Sequence, residues 1–420
     1  MAIIYKNFVL LDGTERMIPQ SGLALVIING RIVKLCKESE LDLKKMKAVD
    51  LGGRYLMPGL VNVAVQTIQR GNQSNSPQSN KSDATPQGKG AFYDSLRLSQ
   101  MKKNLKAELY SGTMSVCTIS GVGSFDTEIK KKIDSGSIIG PRILSSNMTI
   151  AINGLEESSA INVCSNEEAK QATSRLLSEG VDFIKIDIPV LSSEEETAKA
   201  SEIIKTICEE AHSTGKKVSA RVDNNCCTKV AIDSGVDNLG NASEIDSEDL
   251  KLMMLRRSSL ICSFSSVLSK CLAKEKVEIE AQNRTKERIA EIALTAKQAI
   301  ANGVKVGLGS CSGAPYSTHY GMWREIEYFK KYLDVSAEFA LHSATLKNAE
   351  IMGIDKETGS IAEGKSADIL VIDKNPLEDF EAISKPFLVV FRGKEYILPK
   401  VKRDNSVENK LNDFRKKYII

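Results

Sequence analysis

Residues 57–66 read Met-Pro-Gly-Leu-Val-Asn-Val-Ala-Val-Gln, an almost unbroken apolar run that begins behind a Pro-Gly pair. A short apolar run bounded by turn residues is typical of a β-strand. Residues 56–65 are therefore predicted to form a strand. Further along the chain, similar short runs return at intervals and continue the same pattern.

These further runs follow helix-like segments that end at a glycine, the residue that a left-handed helix C-cap favours. The pairs are Gly112 with 114–119, Gly180 with 181–186, Gly215 with 218–222, Gly235 with 236–239, and Gly303 with 304–308. Adding 56–65, 142–145 and 260–263 gives eight strands. Strands that alternate with helices predict a parallel sheet, so we expect an α/β fold with a (β/α)8 TIM-like barrel over residues 56–355.

The two ends of the chain have a different pattern. Asn29-Gly30 separates two apolar runs at 23–28 and 31–33, and Asn-Gly supplies the positive φ angles of a two-residue hairpin turn. Near the other end, 367–373 and 388–390 are predicted strands. Each end is too small to bury a core alone. We therefore expect one small discontinuous β-sandwich domain, built from residues 1–55 plus 356–400.

Two segments lie outside this plan. Residues 69–90 contain almost no apolar side chain, so they are predicted to form a mobile polar loop at the barrel rim, either a lid or a tolerated insertion. Residues 401–420 are predicted to be a C-terminal tail with a solvated helix, because charged residues such as Arg403 and Arg415 dominate it.

Composition limits the function classes. The 420 residues are 42% hydrophobic and 26% charged, with a formal net charge of only +3. No basic block or long apolar run is present, so binding to nucleic acid or to a membrane is not expected. The nine cysteines are scattered and include no CxxC pair, which favours reduced thiols. A cytoplasmic location is predicted.

Several motifs follow the Pro58-Gly59 strand in order. They are Phe-Ile-Lys-Ile at 183–186, Ala-His-Ser-Thr-Gly at 211–215, Gly-Val-Lys-Val-Gly-Leu-Gly at 303–309, Ala-Leu-His-Ser-Ala-Thr at 340–345, and Gly-Ser-Ile-Ala-Glu-Gly-Lys-Ser-Ala-Asp-Ile at 359–369. Together they resemble the amidohydrolase superfamily, in particular its imidazolonepropionase-like and Xaa-Pro dipeptidase-like branch. The resemblance implies a TIM barrel and hydrolysis of carbon–nitrogen bonds at a divalent metal.

The resemblance also implies a set of metal ligands. These are two histidines on strand one, a carboxylated lysine on strand four, histidines on strands five and six, and an aspartate after strand eight. The lysine remains as Lys185. The other positions hold Ala64, Gln66, Arg221, Asn241 and Cys311.

The chemistry of these replacements argues against a metal. Alanine has no donor atom, amides are weak neutral ligands, and Arg221 would place a permanent positive charge where a dication should bind. Only Cys311 could bind tightly. We therefore predict no cofactor, with zinc or another divalent metal as the alternative. Of the three histidines, His319 lies in a segment after strand eight that is expected to face the pocket; the alternative for its side chain is a solvated or helix-capping role.

The same residues favour an anionic ligand, because two cations and two amides are expected to meet in one pocket. The candidate ligand-binding residues are Gln66, Lys185, Arg221, Asn241, Cys311 and His319. Without bridging cations, Lys185 is expected to be a free amine that is either activated by burial and Arg221 or satisfied by Asn241 or Asp187.

Three functions follow from these residues. The first is a pseudoenzyme on the amidohydrolase fold that binds a small anionic ligand or serves as a scaffold for a protein partner. The second is a hydrolase that acts on carbon–nitrogen bonds other than peptide bonds. The third is a metal-independent enzyme that uses Lys185 or Cys311 as its catalytic residue. A homo-oligomer is expected for each of them.

Overall fold

The structure is a computed structural model that describes residues 2–41, 48–72, 88, 90–152, 160–222, 225–272 and 279–419. Its strands are β1 (Ala2–Leu10), β2 (Leu23–Ile28), β3 (Arg31–Lys37), β4 (Ala48–Pro58), β5 (Leu60–Val65), β6 (Thr113–Thr118), β7 (Arg142–Leu144), β8 (Thr149–Ile152), β9 (Ala160–Val163), β10 (Phe183–Asp187), β11 (Lys217–Arg221), β12 (Asn238–Gly240), β13 (Ser259–Cys262), β14 (Lys305–Leu308), β15 (Ile369–Ile372), β16 (Leu388–Phe391) and β17 (Lys394–Ile397). Its helices are α1 (Ala91–Tyr110), α2 (Phe125–Asp134), α3 (Asn166–Ser178), α4 (Glu194–Ser213), α5 (Asn225–Asp233), α6 (Ser247–Arg256), α7 (Phe264–Leu272), α8 (Ile279–Ala301), α9 (Met322–Leu333), α10 (Ala337–His342), α11 (Asn348–Met352) and α12 (Asn405–Tyr418).

The barrel is made of parallel strands in two hydrogen-bonded groups. Strands β5, β6 and β7 form one group, and β10 to β14 pair in sequence in the other. The groups meet where Asp182 donates its backbone N–H to Ser145 O (2.7 Å), and where Gln66 N donates to Ser312 O (2.7 Å). The predicted α/β fold with a TIM-like barrel is confirmed. Strands β8 and β9 were not predicted, and they extend the sheet beside β10.

Helix α4 shows how the sequence builds the outer layer. Its buried side chains include Ile203, Ile204 and Ile207, which recur on one face at helical spacing. Ser193 begins the helix because its side chain accepts from Glu196 N (3.1 Å). Gly215, with a φ of +72°, lies just beyond the end of the helix. The helix therefore begins and ends at local capping residues, and the packing of its isoleucines determines which face is buried.

The terminal strands form one mixed sheet in the order β17-β16-β15-β4-β1-β2-β3. Antiparallel pairing of β4 with β15 joins the two ends of the chain. The predicted hairpin is present, with φ angles of +49° at Asn29 and +76° at Gly30. Gly30 also lies against Arg392, where an added Cβ would be 2.5 Å from the carbonyl oxygen. The turn between β2 and β3 therefore contacts the turn between β16 and β17. The sheet has a hydrophobic cluster of its own, around which it curls. The exact domain boundaries at 55 and 356 stay a prediction.

The C-terminal helix α12 is docked on the barrel, so the prediction of a solvated helix was wrong. Val407 and Leu411, one turn apart, are buried. Arg415 Nη2 lies 2.8 Å from a carboxylate oxygen of Glu327, and Arg324 pairs with Glu408 at 3.1 Å. The charged residues that suggested solvation therefore make ion pairs with the barrel, while the two aliphatic side chains supply the apolar contact.

The polar segment 69–90 is described only at residues 69–72, 88 and 90, so the prediction of a mobile loop lies largely outside the described residues. The described start of the segment is tied down. Asn104 Nδ2 donates to Gln69 O (2.9 Å), and Arg70 Nε donates to Gln100 Oε1 (2.8 Å). None of the described helices has the length and apolarity that a bilayer crossing requires.

Candidate functional site

A cavity of about 260 Å³ lies at the carboxyl ends of the barrel strands. It brings together five of the six predicted ligand-binding residues, from strands that are far apart in the sequence. These five are Gln66, Lys185, Arg221, Asn241 and Cys311. We call this cavity the mouth cavity. Its apolar lining comes from Val63, Ile119, Phe183, Ile261, Val267 and Met352.

Lys185 and Asp187 project from the same face of β10, because side chains two residues apart in a strand share a face. The Lys185 ammonium donates to the Asp187 carboxylate and to Ile186 O (2.9 Å). Arg221, the register partner of Asp187 on β11, approaches the other carboxylate oxygen with its Nη2 at 3.3 Å. One carboxylate therefore holds two cations, and Lys185 is satisfied by Asp187 rather than by Asn241.

Lys185 and Arg221 differ in how far they are buried, and therefore in how readily a ligand can contact them. The Lys185 side chain is 10% exposed, whereas the Arg221 side chain is 44% exposed. A free amine at Lys185 would have to give up the ion pair with Asp187. Among the described residues, the Arg221 guanidinium is paired through Nη2 with Asp187, and Arg221 lines the mouth cavity. Arg221 is therefore the cation that a ligand can reach.

Asn241 and Cys311 follow their strands with left-handed backbone angles, φ +54° and +49°. Such angles are uncommon for residues other than glycine and cluster at functional sites. Asn241 Oδ1 accepts from Ser263 N (2.7 Å), and its Nδ2 donates to Ser266 Oγ (3.1 Å). Ser263 Oγ in turn donates to Cys311 Sγ (3.2 Å). Burial raises the pKa of the Cys311 thiol, which disfavours a thiolate.

Arg288 on α8 also lines the mouth cavity, although no sequence motif predicts it. Its Nη2 donates to Asn241 O (2.8 Å), and its Nη1 donates to Ser243 Oγ (2.5 Å). Because it lies inside a helix, no strand-end motif marks it. With Lys185 and Arg221 it makes three cations against the one carboxylate of Asp187 among the described lining residues.

The residues on and just after β5, the first barrel strand, help to close the barrel as well as to line the cavity. Ala64 packs against Gly309, where an added Cβ would be 2.7 Å from the alanine methyl group. Asn62 is fully buried, donates through Nδ2 to Ser310 Oγ (2.8 Å), and accepts through Oδ1 from Ser310 N (3.0 Å). Of these residues, Ala64 and Gln66 line the cavity, and the buried Asn62 closes the barrel behind them.

His319 does not line the mouth cavity, which corrects the expectation that it faces the pocket. It is buried, with Nδ1 3.0 Å from Glu108 Oε1 and Nε2 2.7 Å from Gln69 O. The reason is that the segment after β14 folds back on itself, with Gly313 N donating to Ser317 O (2.8 Å). His319 therefore ties that segment to α1 and to the residues after β5.

The described residues of the mouth do not fit a divalent metal. Anywhere in the described ranges, no group of three or more His, Cys, Asp or Glu side chains is placed to hold one. Among the described lining residues of the cavity, only Asp187 and Cys311 are of the usual ligand types. Asp187 already neutralises Lys185 and Arg221, and the thiol of Cys311 stays protonated more readily than usual.

The comparisons with known proteins agree with this architecture. The chain is 24% identical to ochratoxinase from Aspergillus niger over 94% of its length and 86% of that protein, and 22% identical to imidazolonepropionase from Thermoplasma volcanium over 83% of each chain. A Bifidobacterium longum structure assigned to the prolidases superposes with a TM-score of 0.83 at 27% identity, over 98% of each chain. The sequence model of the amidohydrolase family matches residues 99–395, which is more than half of the chain. The protein therefore belongs to the amidohydrolase family.

Proposed function

We propose that the protein binds a small anionic compound with an amide-type carbon–nitrogen bond in the mouth cavity. The observation that carries the proposal is the charge of that cavity, three cations against one carboxylate among its described lining residues. Arg221 presents a planar guanidinium, which suits a carboxylate because it can donate two parallel hydrogen bonds. Arg288 is also paired with Glu291 (3.2 Å), so Asp187 and Glu291 together leave one positive charge, which a ligand with one anionic group would balance.

The amide side chains of Asn238 and Gln66 support the proposal that the ligand contains an amide-type carbon–nitrogen bond. Asn238 Nδ2 donates to Ser219 Oγ (3.0 Å), while its Oδ1 is buried and has no hydrogen-bond partner among the described residues. Burying an acceptor without a partner is costly, so a ligand N–H would be stabilising there. The Gln66 side chain makes no hydrogen bond within the described residues and offers both a donor and an acceptor. The apolar side chains of the lining suit the remainder of such a compound.

Hydrolysis of that carbon–nitrogen bond is the second candidate function, and family membership favours it. Ochratoxinase and the prolidase-like structures belong among the similar proteins. These similarities support the predicted carbon–nitrogen hydrolase better than they support a protein without activity. The replaced ligands argue that any such hydrolysis would not use the metal site of the family. Metal-independent catalysis by Lys185 or Cys311 is less favoured, because of the ion pair with Asp187 and the raised thiol pKa.

The scaffold role, the protein partner, the homo-oligomer and the cytoplasmic location stay predictions from the sequence. Each would be compatible with ligand binding in the mouth cavity. The loss of hydrolysis likewise stays a prediction, since it depends on the test below. Binding and hydrolysis share one ligand class, so one set of compounds tests both.

Binding is best tested by calorimetry with N-acetyl amino acids and with their neutral carboxamide analogues. We expect the anionic compounds to bind more tightly, and Arg221→Ala to weaken that binding about tenfold or more, since a charged hydrogen bond contributes ~1.5–3 kcal/mol. Arg16→Ala, which removes an exposed arginine in the terminal sheet region, is the matched control. Equal binding of the neutral analogues, or unchanged binding by Arg221→Ala, would refute the proposal.

The same compounds decide between the two candidate functions. Mass spectrometry of each mixture, with and without added zinc, detects release of the free amino acid. Product formation that Arg221→Ala abolishes would establish hydrolysis at this cavity. Binding without product would establish a binding protein.

A further inference from the structure

A second concavity of about 610 Å³ lies on the outside of the barrel, and we call it the outer groove. It runs between α8 on one side and α7, the end of α9 and the C-terminal helix α12 on the other. Its described lining residues are Leu268, Leu272, Gln282, Thr285, Lys286, Ile289, Ala290, Ala293, Leu294, Lys297, Tyr332, Phe414 and Tyr418. None of them lines the mouth cavity.

Most of this lining is apolar, although the groove is open to solvent. Leu294 is 59% exposed and Tyr418 is 39% exposed. The rings of Phe414 and Tyr418 contact each other at a tilt of 37°, with 4.8 Å between their centroids, and form one wall. A volume of 610 Å³ lies within the ~300–1,000 Å³ that is typical of small-molecule sites. The groove is thus large and apolar enough for a ligand chain.

The charged residues of the outer groove are of one sign. Lys286 and Lys297 belong to its lining, which has no aspartate or glutamate in the described part of the chain. Neither lysine makes an ion pair with another described residue. The two lysines are eleven positions apart in the sequence, so they lie on the same face of α8, about 16 Å apart along its axis. An apolar groove therefore has a cation toward each end.

We propose that the outer groove binds a long-chain carboxylate, with the hydrocarbon chain between α8 and α12 and the carboxylate on a rim lysine. Covering the apolar lining with a hydrocarbon chain is favourable, since it removes apolar surface of both from water. The two lysines among the described lining residues favour an anionic head group over a cationic one. This site is independent of the function proposed for the mouth cavity.

Calorimetry with dodecanoate and with dodecylamine, both below the concentration at which they form micelles, tests the proposal on the full-length protein. We expect dodecanoate to bind and dodecylamine to bind at least about tenfold more weakly, because the head-group charge is reversed. The double variant Lys286→Glu/Lys297→Glu should reverse that preference. Lys330→Glu, an exposed lysine on the neighbouring α9 outside the groove, should leave it unchanged.

Ala290→Trp provides a second test, because Ala290 is exposed and a larger side chain there fills the groove without crowding the core. We expect it to abolish dodecanoate binding while binding of N-acetyl amino acids in the mouth cavity persists. Equal binding of both head groups, or binding that survives Ala290→Trp, would overturn the proposal. Self-association that Ala290→Trp blocks, without dodecanoate binding, would overturn it in favour of a second copy of the chain.

Discussion

At the seam where β5 meets the segment after β14, Asn62 is fully buried and its side chain is satisfied by Ser310. At the mouth over β10 and β11, Arg221 is half-exposed and shares a carboxylate with Lys185. Both regions lie where the family resemblance implies metal ligands. In one, the substituted residues lie against the closed wall of the barrel. In the other, they leave charge that faces a cavity.

The difference teaches that the two regions meet different physical requirements. Between β5 and β14 the barrel must close, so small side chains such as Ala64 and hydrogen bonds between neighbours are sufficient. Over β10 and β11, Asp187 pairs with two cations, Lys185 and Arg221, beside the mouth cavity. We expect substitutions at the seam to lower stability, and substitutions at the exposed part of the mouth to lower ligand binding.

Asp187→Asn should have the largest effect on stability. It leaves the buried Lys185 ammonium without its carboxylate, and breaking a buried pair from one side costs ~3–5 kcal/mol. Urea unfolding at neutral pH measures the change. The double variant Lys185→Met/Asp187→Asn removes both charges and should recover most of the loss. A single variant as stable as the wild type would show that the pair does not hold the mouth together.

The pH dependence of stability should reveal Glu325, which lies beneath the mouth. Its carboxylate accepts from Phe264 N (2.7 Å) and Ser265 N (2.8 Å) at the start of α7, and burial raises its pKa to about 7. A raised pKa in the folded state means that the folded protein binds this proton more tightly. Its contribution to stability is therefore present below pH ~4.5 and is lost as the pH rises to about 7.

Unfolding free energies measured from pH 4.5 to 7 test this, and Glu325→Gln should remove on the order of 3 kcal/mol from the decline. Asp126, whose pKa burial raises to about 6, contributes to the remaining slope in both proteins. An identical slope in the wild type and Glu325→Gln would contradict the account of this carboxylate.

Asn62→Ala tests the seam directly. It leaves Ser310 N without its acceptor inside the barrel and removes a buried side chain, so we expect a loss of about 2–3 kcal/mol. Chemical denaturation measures the loss, and calorimetry with an N-acetyl amino acid should show nearly unchanged affinity in the folded variant. A large fall in affinity with little loss of stability would reverse the roles given to seam and mouth.

Arg221→Ala should have the smallest effect on stability, less than about 1 kcal/mol, because its pair with Asp187 is partly exposed and exposed pairs contribute little. Its effect on ligand binding should nevertheless be the largest of these variants. Thermal melting and calorimetry on the same preparation separate the two. A strongly destabilised Arg221→Ala would place this residue with the structural network instead.

The fold could be predicted from local signals, because those signals act on neighbouring residues. Asn29-Gly30 determines a turn, and the glycines after the helices determine where strands begin. The five strand-end residues of the mouth could likewise be placed, since the carboxyl ends of parallel strands meet at one end of a barrel. For Asp187 the sequence predicts only a role as a partner for Lys185.

Other features depend on contacts that no local pattern specifies. Arg288 reaches the mouth from inside α8, and its role follows only from the packing of that helix beside Asn241. His319 turns away because its segment folds back toward Glu108, 211 residues earlier in the chain. Helix α12 docks because Val407 and Leu411 pack against an apolar surface, although charged residues dominate the composition of the helix.

Metal analysis of the purified protein tests the central claim most directly, that the barrel mouth is a cationic binding site and not a metal centre. The account predicts well below one divalent metal ion per chain, even after expression with added zinc, and a melting temperature that a chelator leaves unchanged. One or more tightly bound ions per chain, lost on substitution of Lys185→Ala, would contradict it.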